Sequence, residues 1–321
     1  MKPVCNSVSV RVPATSANLG SGFDTAGIAL DYADSLVFTL DESQDVRVII
    51  HGEGENTLPR DENHLVVKAF RKACEIFGLP NLKFTLEAHN QIQQARGMGS
   101  SASAIVAGVA AAWSFAHEGN IDRESIFEIA AAIEGHPDNV APAVFGGLTM
   151  SWKDSQEFHT VQYKVSKDIS VSIFVPDFKL STEKARQALP EKVPYGDAIF
   201  NVSRAAMLPV AFGELNSESC DAVKSNLSRN ELLFEATQDA LHQPYRANLM
   251  QDSWDLVKSL RDAGFAAAIS GAGSCVAVFY AGNSALANEQ IDKIAEPWLS
   301  LDGWQVLHMS VDSSGVAITR E

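Results

Sequence analysis

Apolar and polar positions alternate from the start of the chain: Val8, Val10 and Val12 are separated by Ser9 and Arg11. This is the period-two pattern of a half-buried strand. The same texture predicts strands over 35–39, 46–50 and 82–88, and Pro13 is expected to end the first ladder. Apolar residues at helical spacing over 64–77 predict a helix that stops at Gly78. Helical spacing continues over 101–117 and 123–133, and 146–150 returns to strand. In the second half the pattern predicts a strand over 169–175 and helices near 182–189, 199–212 and 231–241. An amphipathic helix over 252–263 ends before Gly264. Strands at 265–269 and 275–280, a helix near 285–295 and strands at 305–309 and 316–319 complete the chain. The apolar texture is interrupted at 154–156 and 166–168, which suggests two units, 1–160 and 161–321, of mixed α+β character. No repeat or low-complexity segment breaks the pattern.

Composition narrows the function classes. With 321 residues, 46% hydrophobic and 20% charged, the chain reads as a soluble globular protein with a well-buried core. The net charge of −15 argues against nucleic acid and anionic membrane as partners, because both require a basic footprint. Cys5, Cys74, Cys220 and Cys275 show no metal or CxxC spacing and are expected to be reduced thiols of a cytoplasmic protein. The charge-free run near 263–280 has glycines and strand texture, which favours a sheet core over a membrane span. Met1, Lys2 and Pro3 lead directly into the first strand, so no secretory signal is expected. Oligomeric state is left open, a homodimer included.

Candidate chemistry is concentrated in the turn formed by Gly97, Met98, Gly99, Ser100, Ser101, Ala102 and Ser103, which runs into an alanine-rich helix. Its glycines permit close backbone approach, and the helix start adds unpaired N–H groups and a positive dipole end. Together these suit a phosphate, with the Ser100 and Ser101 hydroxyls available to phosphate oxygens or Mg²⁺. No lysine follows the second glycine, so this is not the common NTPase loop. A second small-residue loop runs from Pro13 to Asp24 and carries Asn18. A third, with Gly271 and Gly273, separates two apolar runs and taken alone reads as a hairpin turn.

Taken together, the three segments resemble the motifs of the GHMP kinase family in order and spacing. The turn GMGSSA differs from that family's GLGSSA only by an apolar exchange. The opening PATSANLGSGFD and the segment containing Glu134, His136, Asp138 and Asn139 are similar to the branch that phosphorylates L-homoserine. So are the segments around Arg186 and Arg246. The resemblance implies an N-terminal domain like ribosomal protein S5 domain 2 and a ferredoxin-like C-terminal domain. It implies ATP-dependent conversion of L-homoserine to O-phospho-L-homoserine in threonine biosynthesis. Gly97 to Ser103, Gly271 and Gly273 would hold the nucleotide, with Asn63 near the base. Ser100, Ser101 and Glu134 would hold Mg²⁺. Arg186 and Arg246 would take the substrate carboxylate and Asp24 its ammonium, while Asn18, His136 and Asn139 orient the reacting end. Asn18, Asn139 and Asp138 are the catalytic candidates, and whether Asp138 or Asn139 faces the attacking hydroxyl stays open. Direct in-line transfer without a side-chain base is preferred, since phosphoryl transfer asks little of the nucleophile. The family usually has proline where Ser274 stands, and the serine is expected to loosen that turn. Another small alcohol as substrate, or a catalytically silent ligand-binding relative, remain the alternatives.

Overall fold

The computed structural model describes residues 2–43, 45–214 and 225–321. The first half runs β1 (Ser7–Ala17), β2 (Ala26–Leu40), β3 (Val46–Gly52), α1 (Leu65–Phe77), β4 (Phe84–Asn90) and α2 (Ser100–Ala116). It continues through α3 (Arg123–Glu134), α4 (Val140–Phe145), β5 (Leu148–Lys153) and β6 (Phe158–Tyr163). The second half runs β7 (Ile169–Pro176), α5 (Thr182–Gln187), α6 (Tyr195–Ala205), α7 (Leu208–Phe212), α8 (Arg229–Ala236) and α9 (Gln243–Arg246). After it come α10 (Gln251–Asp262), β8 (Ala266–Ile269), β9 (Val276–Ala281), α11 (Ser284–Leu299), β10 (Trp304–Ser310) and β11 (Ala317–Arg320).

The first sheet has the order β11-β1-β2-β4-β3, with β5 paired to the start of β2 and to β6. Its inward face buries Phe38 and Phe84 against Phe70 of α1 and Phe115 of α2. A Cβ on Gly108 would lie 2.5 Å from the Val66 carbonyl oxygen, so only glycine lets α1 and α2 approach this closely. Pro13 does not end β1. The register with β2 shifts between Pro13 and Ala14, and this irregularity absorbs the missing N–H while pairing resumes to Ala17. The last strand also departs from the sequence pattern, which grouped it with the second half: β11 pairs antiparallel with β1.

The second sheet is antiparallel throughout, in the order β10-β7-β9-β8. With helices between β7 and β8 and between β9 and β10, this is the ferredoxin-like arrangement. Helices α10 and α11 cover one face through Leu256, Leu260 and Ile291. In a further apolar cluster Val171, Ile173 and Phe279 pack with Leu19, Ile28, Leu30 and Met98, so a shared core forms the seam between the halves. The helix expected over 199–212 is split into α6 and α7, with Pro209 in the first turn of α7. The one expected over 231–241 stops at Ala236. The Asp239 carboxylate there accepts from the backbone N–H groups of Leu241, His242 and Gln243, which start a new turn.

Among the described residues no helix is long and apolar enough to cross a membrane. Cys5, Cys74 and Cys275 are unbridged thiols, and Cys220 lies outside the described residues.

Candidate functional site

The three small-residue loops meet at the seam. Gly97 abuts the third loop so closely that a Cβ would sit 2.0 Å from the Ser270 carbonyl oxygen. The Ser270 hydroxyl donates to the Gly97 carbonyl at 2.6 Å, and the Gly271 N–H donates to the Ala17 carbonyl at 3.0 Å. A Cβ on Gly273 would strike the Met250 sulfur at 2.6 Å, so this glycine packs against the core. Ser274 does not loosen the turn: it is fully buried, and its hydroxyl donates to the Phe178 carbonyl at 2.7 Å.

Gly99 caps α2 at φ 71°, with a Cβ position only 1.9 Å from Thr15 Oγ1. No residue of the first turn of this 17-residue helix is acidic, so the helix itself supplies no anion for its free N–H groups and dipole. Beside it lies a cavity of about 390 Å³ lined by Leu58, His64, Leu65, Asn90, Ser100 and Ser101. Asp34, whose carboxyl burial pushes up to about 6, is also in its wall. Asn63 is exposed and tied to Asp61 through its backbone N–H at 2.8 Å, and the cavity wall is formed instead by its neighbour His64. His64 is buried, which lowers its pKa and keeps the ring neutral, and neither ring nitrogen has a hydrogen-bond partner.

Glu134, at the end of α3, reaches the start of α2, where the Ser101 hydroxyl donates to it at 2.8 Å. Burial raises its pKa, because neither that hydroxyl nor His136, 3.9 Å away, fully compensates the charge. A largely enclosed carboxylate short of positive charge, bonded to the Ser101 hydroxyl, is a donor set suited to a hard divalent cation. His136 Nδ1–H donates to Asp138 Oδ1 at 2.9 Å, an interaction that raises the imidazole pKa. The Thr15 hydroxyl, contributed by β1, donates to Asn139 Oδ1 at 2.7 Å. That bond turns the amide nitrogen toward Asp138, 3.4 Å away.

Asn18 does not present a free side chain. Its Nδ2 donates to the Gly271 carbonyl at 2.8 Å and its Oδ1 accepts from the Asp24 N–H at 2.9 Å, so the amide is spent on holding two loops together. Asp24 and Arg186 form a two-pronged ion pair at 2.8 and 2.9 Å, which raises the Arg186 pKa. Arg246 is 2% exposed: its Nε donates to the Ala185 carbonyl, an NH group lies 3.3 Å from His242, and its guanidinium is 5.0 Å from the Phe23 ring centre. Burial lowers its pKa while Asp24 opposes that shift. The pattern of the sequence missed Thr15, Phe23, His64 and His242. Thr15 and Phe23 do fall within the opening motif, but nothing local distinguishes them from packing residues.

Comparison with known proteins gives the family. The model of the GHMP kinases N terminal domain matches residues 64–147, and that of the GHMP kinases C terminal matches residues 215–298. A homoserine kinase from Clavibacter michiganensis is 41% identical, covering 98% of this chain and 95% of its own. One from Streptomyces avermitilis is 40% identical, over 97% and 95%. The crystal structure of homoserine kinase from Cytophaga hutchinsonii superposes with a TM-score of 0.83 over 99% of both chains at 23% identity, which establishes a common fold. The chain belongs to the GHMP kinase family, in its homoserine kinase branch.

Proposed function

We propose that this protein transfers the γ-phosphoryl group of ATP to the side-chain hydroxyl of L-homoserine, giving O-phospho-L-homoserine and ADP. The observation that carries this reading is the grouping of Asp24, Arg186 and Arg246 at the seam beside the α2 start. One carboxylate and two guanidinium groups match the ammonium and carboxylate of a zwitterion. A sugar or mevalonate would leave part of that set unanswered. The homoserine kinases that match over nearly the whole chain support the same substrate.

In this reading the γ-phosphate lies over Gly97 to Ser103, where backbone N–H groups and the α2 dipole stabilise its charge. The cavity wall from Leu58 to Leu65 takes the nucleoside. Glu134 with Ser100 or Ser101 would hold Mg²⁺, which when bound neutralises charge on the phosphate oxygens. Asp138 is already partnered by His136, and Asn139 is oriented by Thr15. These groups would hold the hydroxyl in line with the phosphorus; positioning then carries the rate without a dedicated base, and the hydroxyl proton passes to a phosphate oxygen and on to water. A coupled ADP-release assay across homoserine, mevalonate and galactose tests the assignment. Turnover confined to homoserine is expected, and preference for either other alcohol would reject it.

A further inference from the structure

On the solvent side of the first sheet, β3 and β4 run parallel with His51 directly opposite His89. Glu87 stands two residues before His89 and so shares its face. The inward positions Val48, Ile50, Leu86 and Ala88 alternate with these and are buried against α1 and α2, which fixes all three polar side chains on the open face. Glu87 Oε1 is 3.1 Å from His51 Nε2 and 3.5 Å from His89 Nε2. One donor atom from each of the three residues lies within 4.8 Å of the others, the single such convergence of His, Cys, Asp and Glu among the described residues.

We propose that His51, Glu87 and His89 form a binding site for a divalent transition-metal ion of the Zn²⁺ class. A metal with bonds of about 2.0–2.2 Å holds adjacent donors roughly 3.0–3.5 Å apart, and both histidine–glutamate separations already have that spacing. The imidazole rings are stacked with centroids 4.6 Å apart, so occupancy requires one ring to turn. Their exposure, 47% for His51 and 55% for His89, leaves room for that rotation. Two imidazoles and one carboxylate are a borderline donor set, which selects Zn²⁺, Co²⁺, Ni²⁺ or Cu²⁺ over Mg²⁺. The remaining coordination positions face water. Such a metal would bridge β3, the edge strand, to β4 by side-chain bonds added to the ladder. This inference is independent of the proposed reaction and of the residues assigned to it.

The test is isothermal titration of EDTA-treated protein with ZnCl₂, repeated with Co²⁺ to read the visible ligand-field band. Wild type is expected to bind Zn²⁺ at one site that millimolar Mg²⁺ does not displace. His89→Ala should weaken binding at least ~10-fold, the scale on which altering a metal's ligand environment acts. Glu87→Gln should weaken it less, and the His51→Ala/His89→Ala double variant should abolish it along with the cobalt band. His159→Ala, which removes a histidine paired with only one carboxylate, Asp154, should bind like wild type. Retained kinase activity in each variant confirms that the fold is intact. Equal binding by wild type and the double variant, whether at thiols or at Glu134, overturns the proposal, as does absence of binding by wild type.

Discussion

Asp24 and Arg186 hold each other in a two-pronged ion pair, so in the proposed reading a bound zwitterion exchanges their mutual pairing for two contacts of its own. Both side chains are more than a third exposed, and solvent screening keeps the pair weak enough to open. Truncating Arg186 to alanine should raise the Michaelis constant for homoserine about tenfold, the low end for a charged hydrogen-bonded pair, and leave that for ATP unchanged. Lysine should rescue only in part, because a point charge does not reproduce the fork. Steady-state kinetics with homoserine and its carboxylate ester check both statements. Gly99 gives a second prediction. Alanine there places a methyl 1.9 Å from Thr15 Oγ1 at a φ of 71°, displacing both the phosphate turn and the hydroxyl that orients Asn139. ATP affinity measured by titration should collapse while the circular dichroism spectrum persists.

Glu134 carries a pH dependence whose sign follows from its raised pKa. The native carboxyl binds its proton more tightly than the unfolded one, so its contribution to stability falls as pH rises from about 4.5 through the native value. In metal-free protein Glu134→Gln should therefore melt higher than wild type at neutral pH, with the gain fading on acidification. The same variant should lose turnover at saturating Mg²⁺ far more than homoserine affinity. Thermal melts in EDTA across that range, paired with activity at neutral pH, test the two halves separately.

At the scale of elements, segments of strongly apolar composition were legible and weakly patterned ones were not. Helix α2 and strands β7 and β9 are buried along most of their length, and their composition alone marks them. Strand β6 is half-exposed to exposed throughout, so no alternation distinguishes Phe158–Tyr163 from a linker. Pro13 misleads for a different reason: its effect depends on whether the neighbouring strand can shift register, and that is set by β2 some twenty residues away. The phosphate turn could be read because its chemistry is contiguous. The substrate cluster could not be assembled without a resemblance, since Asp24, Arg186 and Arg246 are brought together only by the seam. Even then the hydrogen bonds between Arg186 and Asp24, and the diversion of Asn18 into loop support, depend on distances that no spacing rule encodes.

At the scale of the whole molecule, two sheets of different topology share one apolar cluster, which includes Leu19 of the opening loop and Met98 of the phosphate turn. The strand that ties the chain together is β11. Ser7 and Glu321 exchange backbone hydrogen bonds at 3.1 and 3.3 Å, and the Arg320 guanidinium donates to the carbonyls of Ser114 in the last turn of α2 and of His117 and Gly119 beyond it. Removing residues 317–321 should uncover the β1 edge and unclamp α2, lowering the melting temperature by several degrees or causing aggregation, as a thermal melt or sedimentation would show. During synthesis β1 waits for a strand made roughly three hundred residues later. Until β11 emerges, the first half carries an open edge and is exposed to wrong pairings for the whole time the second half takes to appear.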